Sequence, residues 1–284
     1  MIIGGDKEPV IRNIQEATVR HDYNAKVELH DPVMNEQQRQ VVLNNYLRNR
    51  NKINYKIKNV IARDITDTVT TYMSPHTQII GLDNIKNINT GAIITSNHFN
   101  PLDNIAIRKM TKAVGHKRLY IVIQDTNLKM KGLIGFLMNY DDTLPISLST
   151  NYMGRQFPQL LQAVLNDKQY VLIYPEQEMW FNYRKPRPLK RGPYYYAARF
   201  HVPIISCFVE IKTLPQKDND EFYQTAYITH VLPTIYPDAQ QSIKANSIRM
   251  MQQDYQQKKQ AYEQAYHQKL TYEFTPDDIA GWIH

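Results

Sequence analysis

The chain has 284 residues, of which 42% are hydrophobic, 10 are glycine and one, Cys207, is cysteine. This composition excludes a disordered or collagen-like chain, an intramolecular disulfide framework and a cysteine-rich metal site, and it fits a reducing compartment. The formal net charge of +7, together with 20 tyrosines, favours a polyanionic partner such as nucleic acid, a phosphorylated cofactor or an anionic membrane face.

The first predicted elements are two helices. Apolar residues spaced among polar ones predict a helix over residues 35–47, and a clearer three- and four-residue spacing predicts an amphipathic helix over 53–72. We expect residues 1–75 to form an N-terminal helical hairpin packed on the domain that follows. Residues 1–6 show no secretory signal, and no apolar run reaches the roughly 20 residues that a bilayer span needs.

Residues 76–238 alternate β-branched runs with helical patterns, which predicts an α/β domain with a mixed, largely parallel sheet flanked by helices. Residues 239–284 are expected to form a long polar surface helix over 240–270, followed by a tail. The predicted strands are 91–95, 119–124, 143–146, 170–174, 202–209 and 225–231, and the predicted intervening helices are 104–112, 128–138, 152–166 and 192–200.

The most informative segment places a histidine just after a predicted strand. His98 follows strand 91–95, and Asp103 comes five positions later, at the start of a predicted helix. Ligands bind at the carboxyl ends of strands in open α/β sheets. A carboxylate that holds one ring nitrogen as N–H leaves the other nitrogen able to take a proton from a hydroxyl. The simpler alternative is a histidine in a turn, with Asp103 capping the helix.

Two further segments have the composition of binding sites. Glu176 follows strand 170–174, where it would bind a substrate hydroxyl, brace the loop or cap the next helix. Residues 184–191 form a proline-stiffened basic loop that could hold phosphates, although a solvated loop or a localisation signal would have the same composition. Its five basic residues are Arg184, Lys185, Arg187, Lys190 and Arg191.

Taken in order, these segments resemble the glycerolipid acyltransferase superfamily, of the lysophosphatidic acid acyltransferase type, over about residues 78–209. The first block of that family is Asn-His followed, after four further residues, by Asp. The later blocks read Phe-Pro-Glu-Gly-Thr-Arg, Phe-Lys-x-Gly and Val-Pro-Ile-x-Pro. The matching residues are Asn97, His98 and Asp103 for the first block, then Tyr174-Pro175-Glu176, Leu189-Lys190-Arg191-Gly192 and Val202-Pro203-Ile204-Ile205.

The sequence departs from the family pattern at three places. Ser147 and Leu148 stand where the second block has Asp-Arg, and the arginine of that block grips the acceptor phosphate. Arg155 is too far along the chain to replace it by alignment, but it could do so in space. Gln177 and Glu178 replace Gly-Thr, and Ser206 replaces the last proline. The catalytic block is therefore kept, while the blocks that bind the acceptor have changed.

The resemblance implies transfer of a fatty acyl group from acyl-CoA or acyl-carrier protein, as co-substrate and without a cofactor, to a hydroxyl of a lysophospholipid such as 1-acylglycerol-3-phosphate. His98, oriented by Asp103, would be the general base. Substrate binding is expected from Asn97, Glu176, Gln177, Arg184, Lys185, Arg187, Lys190 and Arg191, and no metal site is expected.

The missing arginine keeps a second acceptor class open, namely a glycolipid or another acceptor without a terminal phosphate. A catalytically decayed lipid-binding protein is a further alternative. An RNA-binding protein is another, but no aromatic-rich recognition motif supports it, so no nucleic-acid partner is expected. We expect a cytoplasmic protein that associates peripherally with the inner face of the cell membrane, through the amphipathic helix, the basic surface and the apolar stretch 133–138.

Overall fold

The computed structural model describes residues 7–29, 32–74 and 77–284. The expected boundary between residues 75 and 76 lies outside these ranges. The helices are α1 (Glu8–Val19), α2 (Glu36–Asn49), α3 (Ile53–Met73), α4 (Asn104–Ala113), α5 (Gly132–Tyr140), α6 (Phe157–Asn166), α7 (Gly192–Phe200) and α8 (Ile243–Tyr266). The strands are β1 (Gln78–Ile80), β2 (Ala92–Thr95), β3 (Leu119–Gln124), β4 (Thr143–Ile146), β5 (Tyr170–Ile173), β6 (Ile204–Lys217) and β7 (Tyr223–Val231).

The strands form one seven-stranded sheet in the order β1-β7-β6-β2-β5-β3-β4. Strands β6, β2, β5, β3 and β4 run parallel to one another, whereas β7 is antiparallel to β6 and parallel to β1. The predicted mixed, largely parallel α/β sheet is confirmed. Every residue of β2 is buried, as is usual for a central parallel strand covered on both faces, and its carboxyl end leads directly to His98.

Several elements differ from the predicted ones. Helix α1 and strand β1 were not predicted, and β6 continues well past residue 209. The expected helix 128–138 is a 3-10 turn over Asp125–Lys129 followed by α5, because the backbone of Met130 and Lys131 between them is extended. The expected helix 152–166 opens with a π-helical turn over Tyr152–Gln156 before α6 begins.

Helix α8 was predicted as a surface helix with a stripe of Met251, Tyr255, Tyr262 and Tyr266, and of these four only Tyr262 is buried. The helix instead inserts an ion pair beneath the sheet, in which Lys258 and Asp254 both have fully buried side chains. Asp254 accepts a hydrogen bond from Thr95 Oγ1 at 2.7 Å, and Lys258 Nζ donates to the same hydroxyl at 3.0 Å. Lys258 also donates to Ser206, the residue that stands in place of the family proline.

A separate apolar cluster joins the two ends of the described chain. It packs Ile14 of α1 and Ile279 of the tail against Trp180 and Phe181. The segment after β5 is thereby held between α1 and the tail. Within the described ranges, no helix combines the length and apolarity needed to cross a bilayer.

Candidate active site

His98 and Asp103 lie together at the carboxyl end of β2. Asp103 is only 2% exposed, and its Oδ2 accepts hydrogen bonds from His98 Nδ1 at 2.8 Å and from the backbone N–H of Phe99 at 2.9 Å. The Asp103 side chain does not cap α4, so the simpler helix-cap alternative is wrong. The His98 side chain is 21% exposed, and its Nε2 has no hydrogen-bond partner among the described residues. Nε2 is therefore the nitrogen that an incoming hydroxyl can meet.

Tyr174 completes this group, and the sequence did not single it out as a site residue. Its hydroxyl donates to Asp103 Oδ1 at 2.5 Å, and its ring stacks on the His98 imidazole with centroids 3.9 Å apart. Burial, reinforced by the Asp103 carboxylate, raises the pKa of Tyr174 well above its ordinary value, so the phenol stays a neutral donor. The available signal was a tyrosine where the resembling block has phenylalanine.

Two of the predicted substrate-binding residues are paired with protein groups instead. The Asn97 side chain donates to Val209 O at 3.0 Å and accepts from Val209 N–H at 2.8 Å, which ties the strand end to β6. Glu176 is 1% exposed. Its carboxylate accepts hydrogen bonds from the backbone N–H of His98 at 3.2 Å, from the backbone N–H of Arg187 at 2.9 Å and from Arg187 Nε at 3.1 Å. Glu176 therefore braces the His98 loop, one of the three roles considered for it.

Gln177 has a different environment from its neighbour. It is exposed and adopts a positive φ of 69°, in the left-handed region that glycine favours. The resembling block has glycine at this position, whereas this chain places an amide side chain there. Strained backbone of this kind often accompanies binding sites.

The basic loop divides into two sets, and this corrects the expectation of five phosphate-binding side chains. Arg187 is fully buried against Glu176, and Lys185 is buried against Asp278 with Nζ to Oδ2 at 2.7 Å. Arg184 donates to Asp277 O and to Thr213 Oγ1, each at 2.8 Å. In contrast, Lys190 and Arg191 are exposed. Carboxylates pair with Arg187 and Lys185, and neutral oxygens hold Arg184, so Lys190 and Arg191 are the basic side chains of this loop that remain exposed.

Other chemistries find little support in the described part of the chain. It contains no group of three or more His, Cys, Asp or Glu residues placed to hold a metal ion. Cys207 is buried within β6, and burial raises the pKa of its thiol to about 12. The thiol is therefore protonated at neutral pH and is not placed to act as a nucleophile.

Comparison with known proteins gives one family. Residues 76–210 match the family model described as Acyltransferase. Among solved structures, the chain is similar to the 1-acyl-sn-glycerophosphate (LPA) acyltransferase PlsC from Thermotoga maritima, with a TM-score of 0.49 and 14% identity over 92% of this chain and 99% of that chain. No curated protein matches the chain. The matched segment contains all four sequence blocks and the His98–Asp103 pair, so this part of the chain is similar to the acyltransferase family.

Proposed function

We propose that the protein transfers a fatty acyl group from a thioester donor, acyl-CoA or acyl-carrier protein, to a hydroxyl of a single-chain membrane lipid. The observation that carries the proposal is the His98–Asp103 contact, in which Nδ1 is held at 2.8 Å and Nε2 is left available. The family match supports acyl transfer in general. Lysophosphatidate is the acceptor that the superfamily resemblance favours.

In the proposed reaction, His98 Nε2 removes the proton from the acceptor hydroxyl as its oxygen attacks the thioester carbonyl carbon. The tetrahedral intermediate then collapses, the carbon–sulfur bond breaks, and the imidazolium returns its proton to the departing thiolate. An ester and a free thiol are formed. Asp103 keeps the proton on Nδ1 and stabilises the imidazolium, while Tyr174 and the backbone N–H of Phe99 hold the carboxylate in place. Base catalysis of this kind contributes about 10² to 10⁴ in rate.

The two exposed basic residues of the loop are proposed to hold the donor. Lys190 and Arg191 lie close to the end of β5, because the Lys190 N–H donates to Pro175 O at 2.8 Å. Pro175 directly precedes Glu176, which binds the His98 loop. Phosphates bound by these side chains would therefore lie beside the reacting groups.

We also propose peripheral membrane docking through an apolar surface formed by α3 and α5. Ile53, Ile57 and Ile61 of α3 are 75%, 55% and 47% exposed, and Leu133 of α5 is 59% exposed. Lys56 and Lys58 lie on α3, and Lys129 and Lys131 directly precede α5. Exposed apolar side chains rimmed by lysine favour the boundary of an anionic bilayer. In vesicle sedimentation, we expect binding that increases with anionic lipid and falls in the Ile57→Asp variant. Equal sedimentation of both proteins would contradict docking through this surface.

The proposed activity is tested with purified full-length protein and a labelled acyl-CoA, repeated with labelled acyl-carrier protein. The acceptor panel contains lysophosphatidate, other lysophospholipids and monoacyl glycolipids. We expect ester product from the wild type and a loss of about 10² to 10⁴ in kcat for His98→Ala. The control is His284→Ala, at an exposed histidine outside the site, which should keep full activity. An active His98→Ala would overturn the mechanism, and no product with either donor would favour a lipid-binding protein.

A further inference from the structure

A fully buried polar network lies under the end of β2, the strand that leads to His98. Asp254 of α8 accepts hydrogen bonds from Thr95 Oγ1 at 2.7 Å and from the Tyr194 hydroxyl. Lys258, one turn further along α8, pairs with Asp254 and donates to Thr95 Oγ1 at 3.0 Å and to Ser206 Oγ at 3.4 Å. The residues of the network come from four elements, and each is 0% exposed: Thr95 of β2, Tyr194 of α7, Ser206 of β6, and Asp254 and Lys258 of α8.

Stability alone does not account for two charges in this position. Taking an ion pair out of water carries a desolvation penalty, and apolar residues of similar volume often give equal or greater stability. Hydrogen bonds, in contrast to apolar contacts, fix the distance and the direction between their partners. Asp254 and Lys258 also neutralise each other, so the pair adds no net charge under the His98 turn. What the network gives to this turn is therefore geometry.

Thr95 connects the network to the reacting group. It is the last residue of β2, and His98 follows three positions later, at most roughly 10 Å along the chain. The segment between them is tied down a second time, because the Asn97 side chain makes two hydrogen bonds with the Val209 backbone of β6. The strand end before His98 is thus held by α8 through Thr95 and by β6 through Asn97.

The tie to α8 is made by groups outside the four sequence blocks. Helix α8 supplies both charges and lies beyond residues 76–210, the segment that matches the acyltransferase family. Ser206 stands where the resembling block has proline, which offers no side-chain acceptor. This chain therefore joins its C-terminal helix to the strand that carries the histidine.

We infer that Asp254 and Lys258 are positioning residues for acyl transfer, which hold the end of β2 through the Thr95 hydroxyl and so place the His98 imidazole for proton transfer. The inference rests on the proposed function and adds the C-terminal helix to its machinery. A reacting group displaced by about 1 Å can lose about 10² in rate. Loss of the tie should therefore lower kcat and leave the KM values of donor and acceptor unchanged, because the substrates bind to other groups.

The first test removes the Thr95 hydroxyl and leaves the ion pair in place. Thr95→Val has nearly the same shape without the hydroxyl, whereas Thr95→Ser keeps the hydroxyl without the methyl group. We expect kcat of Thr95→Val to be at least tenfold below the wild-type value, with both KM values within twofold. Thr95→Ser should recover most of the lost kcat. Equal kcat values for the wild type and Thr95→Val would overturn the inference.

The second test replaces the network by apolar side chains. The fourfold variant carries Thr95→Val, Tyr194→Phe, Asp254→Leu and Lys258→Met. Its thermal midpoint should equal or exceed that of the wild type, yet its kcat should be at least tenfold lower. Full activity in a folded fourfold variant would overturn the inference, and if this variant does not fold, Thr95→Val decides.

A second ion pair provides the matched control. Lys7 pairs with Glu28 at 3.2 Å, with side chains that are 6% and 17% exposed, and this pair does not contact β2. The double variant Lys7→Met with Glu28→Leu should keep kcat within twofold of the wild type. A fall in kcat as large as that of Thr95→Val would show that the loss of any buried polar pair slows the reaction, which would overturn a positioning role for the network.

Proton NMR reports on the His98 ring without any substrate. A ring N–H held by a buried carboxylate gives a downfield resonance, and its loss in His98→Ala assigns the Nδ1 proton that faces Asp103. We expect this resonance to stay sharp in the control and to shift or broaden in Thr95→Val. An unchanged resonance in Thr95→Val would overturn the inference, whatever its kcat. If no acceptor yields product with either donor, the proposed function is wrong, and the resonance alone then decides whether the network positions His98.

Discussion

The His98 turn and the basic loop 184–191 both stand out in the sequence, yet the fold uses their charges in opposite ways. Around His98, a buried carboxylate orients a partly exposed imidazole and leaves one nitrogen for substrate. In the basic loop, buried carboxylates pair with Arg187 and Lys185, neutral oxygens hold Arg184, and Lys190 and Arg191 remain exposed. A cluster of positive charges therefore indicates a binding site only where the fold does not supply the anions itself.

The sharpest test of the first region is Asp103→Asn. An amide that donates to Nδ1 would move the ring proton to Nε2, and the imidazole could then no longer accept a proton from the hydroxyl. We expect kcat to fall by about 10² to 10⁴, measured in steady-state assays at saturating acceptor. Retention of near wild-type kcat would mean that His98 does not act as a base oriented by Asp103.

The corresponding test of the basic loop is Arg187→Met. Removing one partner of a fully buried ion pair leaves Glu176 uncompensated, and we expect the free energy of unfolding to fall by about 3–5 kcal/mol in chemical denaturation. The double variant Arg187→Met with Glu176→Gln should recover part of this loss. If Arg187→Met instead raised the KM of a substrate with stability unchanged, the loop would be a ligand site after all.

Tyr174→Phe tests how far the His98 region depends on its buried hydroxyl. The variant removes one hydrogen bond to the Asp103 carboxylate and keeps the ring stacked on His98. A hydrogen bond to a charged group contributes about 1.5–3 kcal/mol, so stability should decrease within that range while measurable transfer remains. An unchanged thermal midpoint would show that this hydroxyl contributes nothing to holding Asp103.

The smallest effects are expected for Lys190→Gln and Arg191→Gln. Both side chains are exposed, so thermal unfolding should be unaffected. Each charge is proposed to contribute about 1 kcal/mol to donor binding, a figure typical of basic residues near an anionic surface. Losing one charge should therefore raise the KM for acyl-CoA several-fold. The rise should shrink at high salt, because salt screens exposed charges. A KM independent of both substitutions would place the donor phosphates elsewhere.

The sequence by itself determined most of the strands and helices along the chain and the local pairing of His98 with Asp103. Both depend on short-range pattern. Apolar periodicity predicts the elements, and a separation of five positions just after β2 keeps the His98 imidazole within hydrogen-bond distance of the Asp103 carboxylate. The order of the four blocks also pointed to the family without any three-dimensional information. Tyr174 was within the same pattern, but its role became visible only when β5 placed it next to Asp103.

Tertiary structure decided which charges remain available to a ligand. Lys185 meets Asp278, 93 positions along the chain, and Arg39 meets Asp125, 86 positions along. No local pattern encodes such pairs, since they exist only after the sheet and both chain ends have packed together. The same packing turned the predicted surface helix α8 into one that carries a buried ion pair. Long-range burial, rather than composition, therefore sets the electrostatics of the candidate active site.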